Sequence, residues 1–139
     1  MTLDLLGISV YVEKNKAHPI YEKLVSRSGK KADDFPFSTM KDLFVVAACM
    51  GAKHKLYEEL DSRRDIFSGE LFNPKIDVPV LAALAFHRTK DLEVLSDPKQ
   101  VIEIAQCWAN GGIHILIDEL LANPGLSPLY NFVELIQEH

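Results

Sequence analysis

Apolar residues recur at helical spacing along most of the chain, and they crowd most densely between Ser38 and Gly51, in STMKDLFVVAACMG. Thr39 has the chemistry of an N-cap, its hydroxyl suited to accept a free backbone N–H. Asp42, three residues on, completes a capping box and complements the positive end of the helix dipole. Gly51 suits the left-handed residue just past a helix end. Leu43, Phe44, Ala47 and Met50 share one face, while Val45, Val46, Ala48 and Cys49 leave almost no polar stripe opposite. A helix apolar all round is a core helix or a membrane span, and this run is about half the roughly 20 residues that a bilayer requires. The pattern predicts a core helix with the other elements packed around it.

The same reading extends along the chain. Residues 5–13, LLGISVYVE, are the one strand-like stretch, read as a packed arm or part of a minor pairing. His18-Pro19 opens a short helix to about Arg27, with Ile20, Leu24 and Tyr21 as its inward candidates. SRSGKKADDFPFS reads as a loop with Phe35 and Phe37 tucked beneath it. Residues 52–76 are irregular, with one helical turn at YEEL. Asp77 as N-cap and Pro79 in the first turn begin VPVLAALAFH, a second nearly all-apolar helix. After a turn at DLEVL, Asp97-Pro98 opens a helix that carries Val101, Ile104, Ala105 and Trp108 and ends at Gly111. GIHILIDELLAN makes another, and Ser127-Pro128 opens a terminal helix with Leu129, Phe132, Leu135 and Ile136. The expectation is all-α: a single domain over 1–139, an irregular bundle of about six helices with a short N-terminal strand or arm.

Composition adds limits. The chain has 139 residues, 47% apolar and 25% charged, which excludes disordered, collagen-like and coiled-coil classes. The opening MTLDLLGISVYVEK does not read as a signal peptide. Cys49 and Cys107 both fall in apolar helical patterns and read as buried thiols, so a cytoplasmic protein is expected. The net charge of −5 is uneven: residues 14–64 hold 11 basic side chains against 7 acids, and residues 65–139 hold 4 against 11. Such asymmetry suits either a polyanion-facing half or two solvated surfaces of opposite sign.

Candidate chemistry is sparse. No His-x-x-x-His or Cys-x-x-Cys spacing suggests a metal, and neither a metal nor a cofactor is expected. His114 and Asp118 are four apart and share a helix face, the spacing of an oriented general base or of a surface pair, with no assignable nucleophile. His87 and Asp91 straddle a helix end, where a cationic histidine favours the negative pole. Gly111-Gly112 suits either an anion-binding turn or a tight junction between helices. Lys53, Lys55, Arg63 and Arg64 in the basic stretch are the candidate nucleic-acid contacts, by point charge and planar fork, with Tyr57 and Phe67 able to stack on bases, though Phe67 better suits an anchor of the loop to the core. Asp61 and Asp65 flank the arginines, so a salt-laced solvated loop is the competing reading.

The strings MKDLFVVAACMG (40–51), VLAALAFHRTKDLEVL (80–95) and WANGGIHIL (108–116), with the basic stretch after the first, resemble a family of small accessory proteins associated with Dnd systems, the bacterial machinery for DNA phosphorothioation. The resemblance spans roughly residues 38–120. It implies a bacterial cytoplasmic protein tied to DNA modification, restriction and phage defence, and it carries over no catalytic residue. The reading is therefore of a non-enzymatic accessory protein that binds a protein component of such a system and contacts DNA, with no membrane role. A small nuclease or nucleotide-processing enzyme using His114 and Asp118, and an antitoxin-type regulator, are the alternatives.

Overall fold

A computed structural model of the chain describes residues 3–15, 17–24, 37, 39–120, 133, 136 and 137, with the backbone alone at 23 and 24. The elements run β1 (Ser9–Glu13), α1 (His18–Leu24), α2 (Met40–Lys53), β2 (Arg63–Ser68), α3 (Asp77–Thr89) and α4 (Pro98–Leu120). Two 3-10 turns, Gly69–Leu71 and Leu92–Ser96, precede and follow α3. The expectation of an all-α bundle of about six helices is corrected. Among the described residues there are four α-helices and a two-stranded antiparallel sheet, a small mixed α/β arrangement. The expected helix from Ser127 falls on residues that lie largely outside the described set, where only 133, 136 and 137 appear, all helical. Most of the expected 26–38 loop, including Phe35, lies outside it too, while Phe37 is buried.

Local chemistry explains several boundaries. The Thr39 hydroxyl accepts from the Asp42 N–H at 3.1 Å, and Asp97 accepts from the Gln100 N–H at 3.2 Å, both as helix starts demand. Asp77 is not the cap of α3. It is the first helical residue, and its buried carboxylate accepts from the Asn73 N–H and from Lys41 Nζ, each at 2.8 Å. β1 pairs with β2, so 63–68 is strand where a loop was expected, and YEEL takes no helical turn. Phe67 stands opposite Val10 and Asp65 opposite Tyr11, which bulges Ile66 out of the ladder. Only Ile66 and Phe67 carry strand propensity in RRDIFS, so pairing with β1 makes this strand.

The core is centred on α2 and α4, and two expected helix ends disappear there. Gly51 lies inside α2, which runs to Lys53, and Gly111 and Gly112 lie inside a continuous α4 of 23 residues. A Cβ at Gly51 would overlap the Trp108 carbonyl, one at Gly112 the Ala47 carbonyl, and one at Gly111 the Leu56 carbonyl. These glycines let backbone touch backbone, at about 1 kcal/mol each in helix propensity. As α4 advances from Trp108 to Gly112, its contacts on α2 fall back from Gly51 to Ala47, so the two helices are antiparallel. Phe44, Phe67 and Phe72 then pack together at ring separations of 5.3–6.0 Å, joining α2 to the sheet. Cys107 is buried as expected, but Cys49 is exposed, because α2 buries a face and not its whole circumference.

Buried polar groups tie the sheet to α4. Gln106 accepts from the Tyr11 N–H at 2.8 Å and donates to Glu103 at 3.1 Å. The Asn110 side-chain amide donates to the carbonyls of Glu58 and Glu59. Glu13 is buried and accepts from the Asp61 N–H and from the N–H and hydroxyl of Ser62. The Ser62 hydroxyl bond is the largest cause holding its carboxyl below the ordinary range, against an opposing push from burial. Residues 56–63 are thereby fixed along α4.

Candidate nucleic-acid interface

The four basic residues singled out from the sequence do not form one patch. Leu56 lies against Gly111 of α4, and Arg63 bonds Glu103 of the same helix. Eight helical residues separate those points, about 12 Å along the axis. Lys53 and Lys55 therefore belong to one end of this segment, and Arg63 and Arg64 to the other. Arg63 is committed: its two terminal nitrogens donate to the two Glu103 oxygens at 2.8 and 2.5 Å. This fork is the first cause raising the Arg63 pKa and lowering that of Glu103. Arg64 is exposed opposite Val12 of β1, on the other face of the strand from Arg63. Beside the Arg63–Glu103 pair lies a cleft of ≈ 310 Å³ lined by Ser9, Tyr11, Lys99 and Gln106 among others.

Lys53 and Lys55 acquire different neighbours. The Lys41–Asp77 bond at 2.8 Å holds the starts of α2 and α3 together. At their far ends, Gly51 abuts Trp108, whose indole N–H donates to the Leu84 carbonyl at 3.3 Å. α2 and α3 thus run in the same sense and finish at the same end of the molecule. There the Arg88 guanidinium lies 3.8 Å above the Tyr57 ring. Tyr57 meets Trp108 edge-on at 4.9 Å, and His87 is tilted against Trp108 at 5.7 Å. Burial first, then the neighbouring Cys107, pushes the Tyr57 pKa upward. With Arg88 on its face and Trp108 at its edge, Tyr57 is a packed residue and not a free stacking platform. Asp91 does not pair with His87; it accepts from the Glu93 N–H at 2.9 Å and caps the following 3-10 turn.

Both helices stop on a left-handed lysine. Lys55 has φ 59° and Lys90 φ 58°, and they are the only non-glycine residues with positive φ among those described. After α2, the Leu56 N–H donates to the Gly51 carbonyl and the Lys55 N–H to that of Ala52, a Schellman ending with lysine in glycine's usual place. After α3, the Lys90 N–H donates to the Phe86 carbonyl at 2.7 Å. A left-handed residue with a Cβ costs about 1–2 kcal/mol. A cation near a helix C-terminus recovers about 0.3–1 kcal/mol. The dipole therefore does not by itself account for lysine at both positions.

Sequence reasoning missed Arg88 and Lys90, because they sit in the half of the chain with 4 basic residues against 11 acids. The visible signal was a helix ending in basic residues, HRTK, with no glycine after it. His114 is half-buried and Asp118 exposed, and among the described residues no hydrogen bond joins them. Among those residues no cluster of three or more His, Cys, Asp or Glu could hold a metal ion, and no helix is long and apolar enough to cross a membrane.

Comparison with known families places the chain. Residues 10–134 match the family described as DNA sulphur modification system-associated protein 4. The chain belongs to this family. No curated protein and no solved structure matches it. The resemblance to Dnd-associated accessory proteins holds at this level, and association with a DNA sulphur modification system follows from it.

Proposed function

We propose that this family member is a non-enzymatic accessory protein of a bacterial DNA phosphorothioation system, folded as one domain and working in the cytoplasm. It binds a protein component of that system and contacts DNA, in the service of modification, restriction and phage defence. The match across residues 10–134 carries this reading. An apolar surface supports the protein-binding part. Leu6, Leu71 and Ile76 are 68%, 59% and 67% exposed. Leu6 lines a groove of ≈ 500 Å³ with Leu3, Leu5, Phe72 and Val78. Leu71 lies in sequence between the lining residues Glu70 and Phe72, and Ile76 between Pro74 and Val78, and apolar side chains exposed beside such a groove are what a partner surface covers.

Co-expression with each sulphur-modification protein of the host system, followed by size-exclusion chromatography, tests the proposal. A complex of fixed stoichiometry is expected with one of them, weakened by Leu71→Asp with Ile76→Asp. Failure to form a complex with any of them overturns the reading.

A further inference from the structure

We propose that the end of the molecule where α2 and α3 stop is a DNA-backbone contact face, with Lys53, Lys55, Arg88 and Lys90 reaching phosphates. This rests on the DNA-contacting part of the function proposed above, and it replaces Arg63 and Arg64 as the cations that matter. Lys53, Lys55 and Lys90 are exposed at the ends of their helices, and exposed Arg88 is steadied over the Tyr57 ring. Lys53 and Lys55 come from the basic part of the chain, and Arg88 and Lys90 are two of the four cations of its acidic part. The parallel course of α2 and α3 brings them to the same end.

The two left-handed lysines point to surface chemistry over fold. Glycine would relax the backbone at both positions, and departures from local preference gather where function demands them. Four exposed cationic side chains suit phosphate oxygens, and the family's association with DNA modification makes the occupant duplex DNA. The exposed acids Glu58, Glu59, Asp91 and Glu93 adjoin the four cations, so the face has little net charge and the field is local. Contacts to individual phosphates, without long-range steering, are the expected mode, and they carry no sequence preference.

The test is anisotropy of a short labelled duplex titrated with the full chain over a range of salt. Lys55→Gly with Lys90→Gly removes two charges while relaxing the backbone, so this variant folds. It is expected to melt no lower than the parent, to bind several-fold more weakly, and to lose about two units of the log–log salt slope. Lys53→Ala with Arg88→Ala is expected to weaken binding similarly, and Arg63→Ala with Arg64→Ala to leave it within about twofold, since those cations have no role here. Unchanged duplex affinity in the Lys55/Lys90 variant overturns the proposal, as does loss of binding in the Arg63/Arg64 variant alone. A parent chain that joins a modification-system protein but binds no duplex removes this face and leaves the accessory reading standing. A Lys55/Lys90 variant that loses the protein complex but keeps duplex binding reassigns the face to protein docking and overturns it equally.

Discussion

Where α2 crosses α4, glycine occupies helix-interior positions that favour almost any other residue. Where α2 and α3 end, lysine occupies positions that favour glycine. The two regions lie within a few residues of each other on α2, and both depart from local preference, for different reasons. At the crossing, the Ala47, Trp108 and Leu56 carbonyls fill the space that a Cβ would need, so packing selects glycine and local propensity yields. At the helix ends the side chains project into solvent, and no packing contact demands lysine. An unfavourable residue inside a packed seam is explained by its contacts. One on an exposed end calls for a surface role.

The largest effect that can break this contrast is at the seam. Gly112→Ala gains about 1 kcal/mol of helix propensity but drives a methyl group into the Ala47 carbonyl and the Gly51 N–H. Both are helical backbone and cannot rotate away, so a net loss of about 3 kcal/mol or more is expected. Thermal denaturation reads it, and a Tm equal to or above the parent's removes the close-approach account.

Glu13→Ala is next, at roughly 1–3 kcal/mol, because it leaves the part-buried N–H groups of Asp61 and Ser62 without their acceptor. The Glu13 carboxyl is held below its ordinary 4.5, so it binds a proton less readily folded than unfolded. Its contribution is complete above about pH 4.5 and is lost as pH falls through the lower folded value. Denaturation midpoints across that acid limb should fall less steeply for the variant than for the parent. Equal slopes reject the assignment.

Lys55→Gly or Lys90→Gly should not destabilise. Relief of the left-handed strain, about 1–2 kcal/mol, is set against the entropy that glycine loses on folding, about 0.5–1 kcal/mol, and the lost cation–dipole attraction, about 0.3–1 kcal/mol. Stability in urea unfolding is expected to hold or to rise by up to about 1 kcal/mol per site. A loss of more than about 1 kcal/mol by either change would mean that lysine is there for the fold, and the contrast with the seam would collapse.

The smallest effect belongs to Arg63→Ala. Its fork with Glu103 is 41% and 44% exposed at the two side chains, so solvent and salt screen it to about 0.2–1 kcal/mol. A loss well above that range in chemical denaturation would make the pair a structural tie between β2 and α4.

How much was legible beforehand follows the range of each interaction. Thr39 and Asp97 were readable as helix starts because a cap bonds the N–H two or three residues away. Phe67 was readable as an anchor from its apolar ring in a basic stretch, and it packs on Phe44 and Phe72. β2 was not readable, since RRDIFS has the composition of a solvated loop until Val10 and Tyr11 stand opposite it. Gly51 and Gly111 carried the signature of helix ends, and only the neighbouring helix tells a C-cap glycine from a seam glycine. In the candidate site, Lys53 and Lys55 were visible as basic residues. Their company was not, because Arg88 and Lys90 are more than thirty positions away.

The order of residues by itself determined where α2 and α4 begin, which face of each is apolar, and that SVYVE is extended. Each depends on atoms within a turn or two of one another, so a local pattern suffices. Tertiary structure alone decided that α4 passes through two glycines without breaking, that a second strand exists, and that two helices deliver their cations to one end. Those outcomes depend on backbone surfaces far apart in the chain, whose energies exist only once the chain is folded.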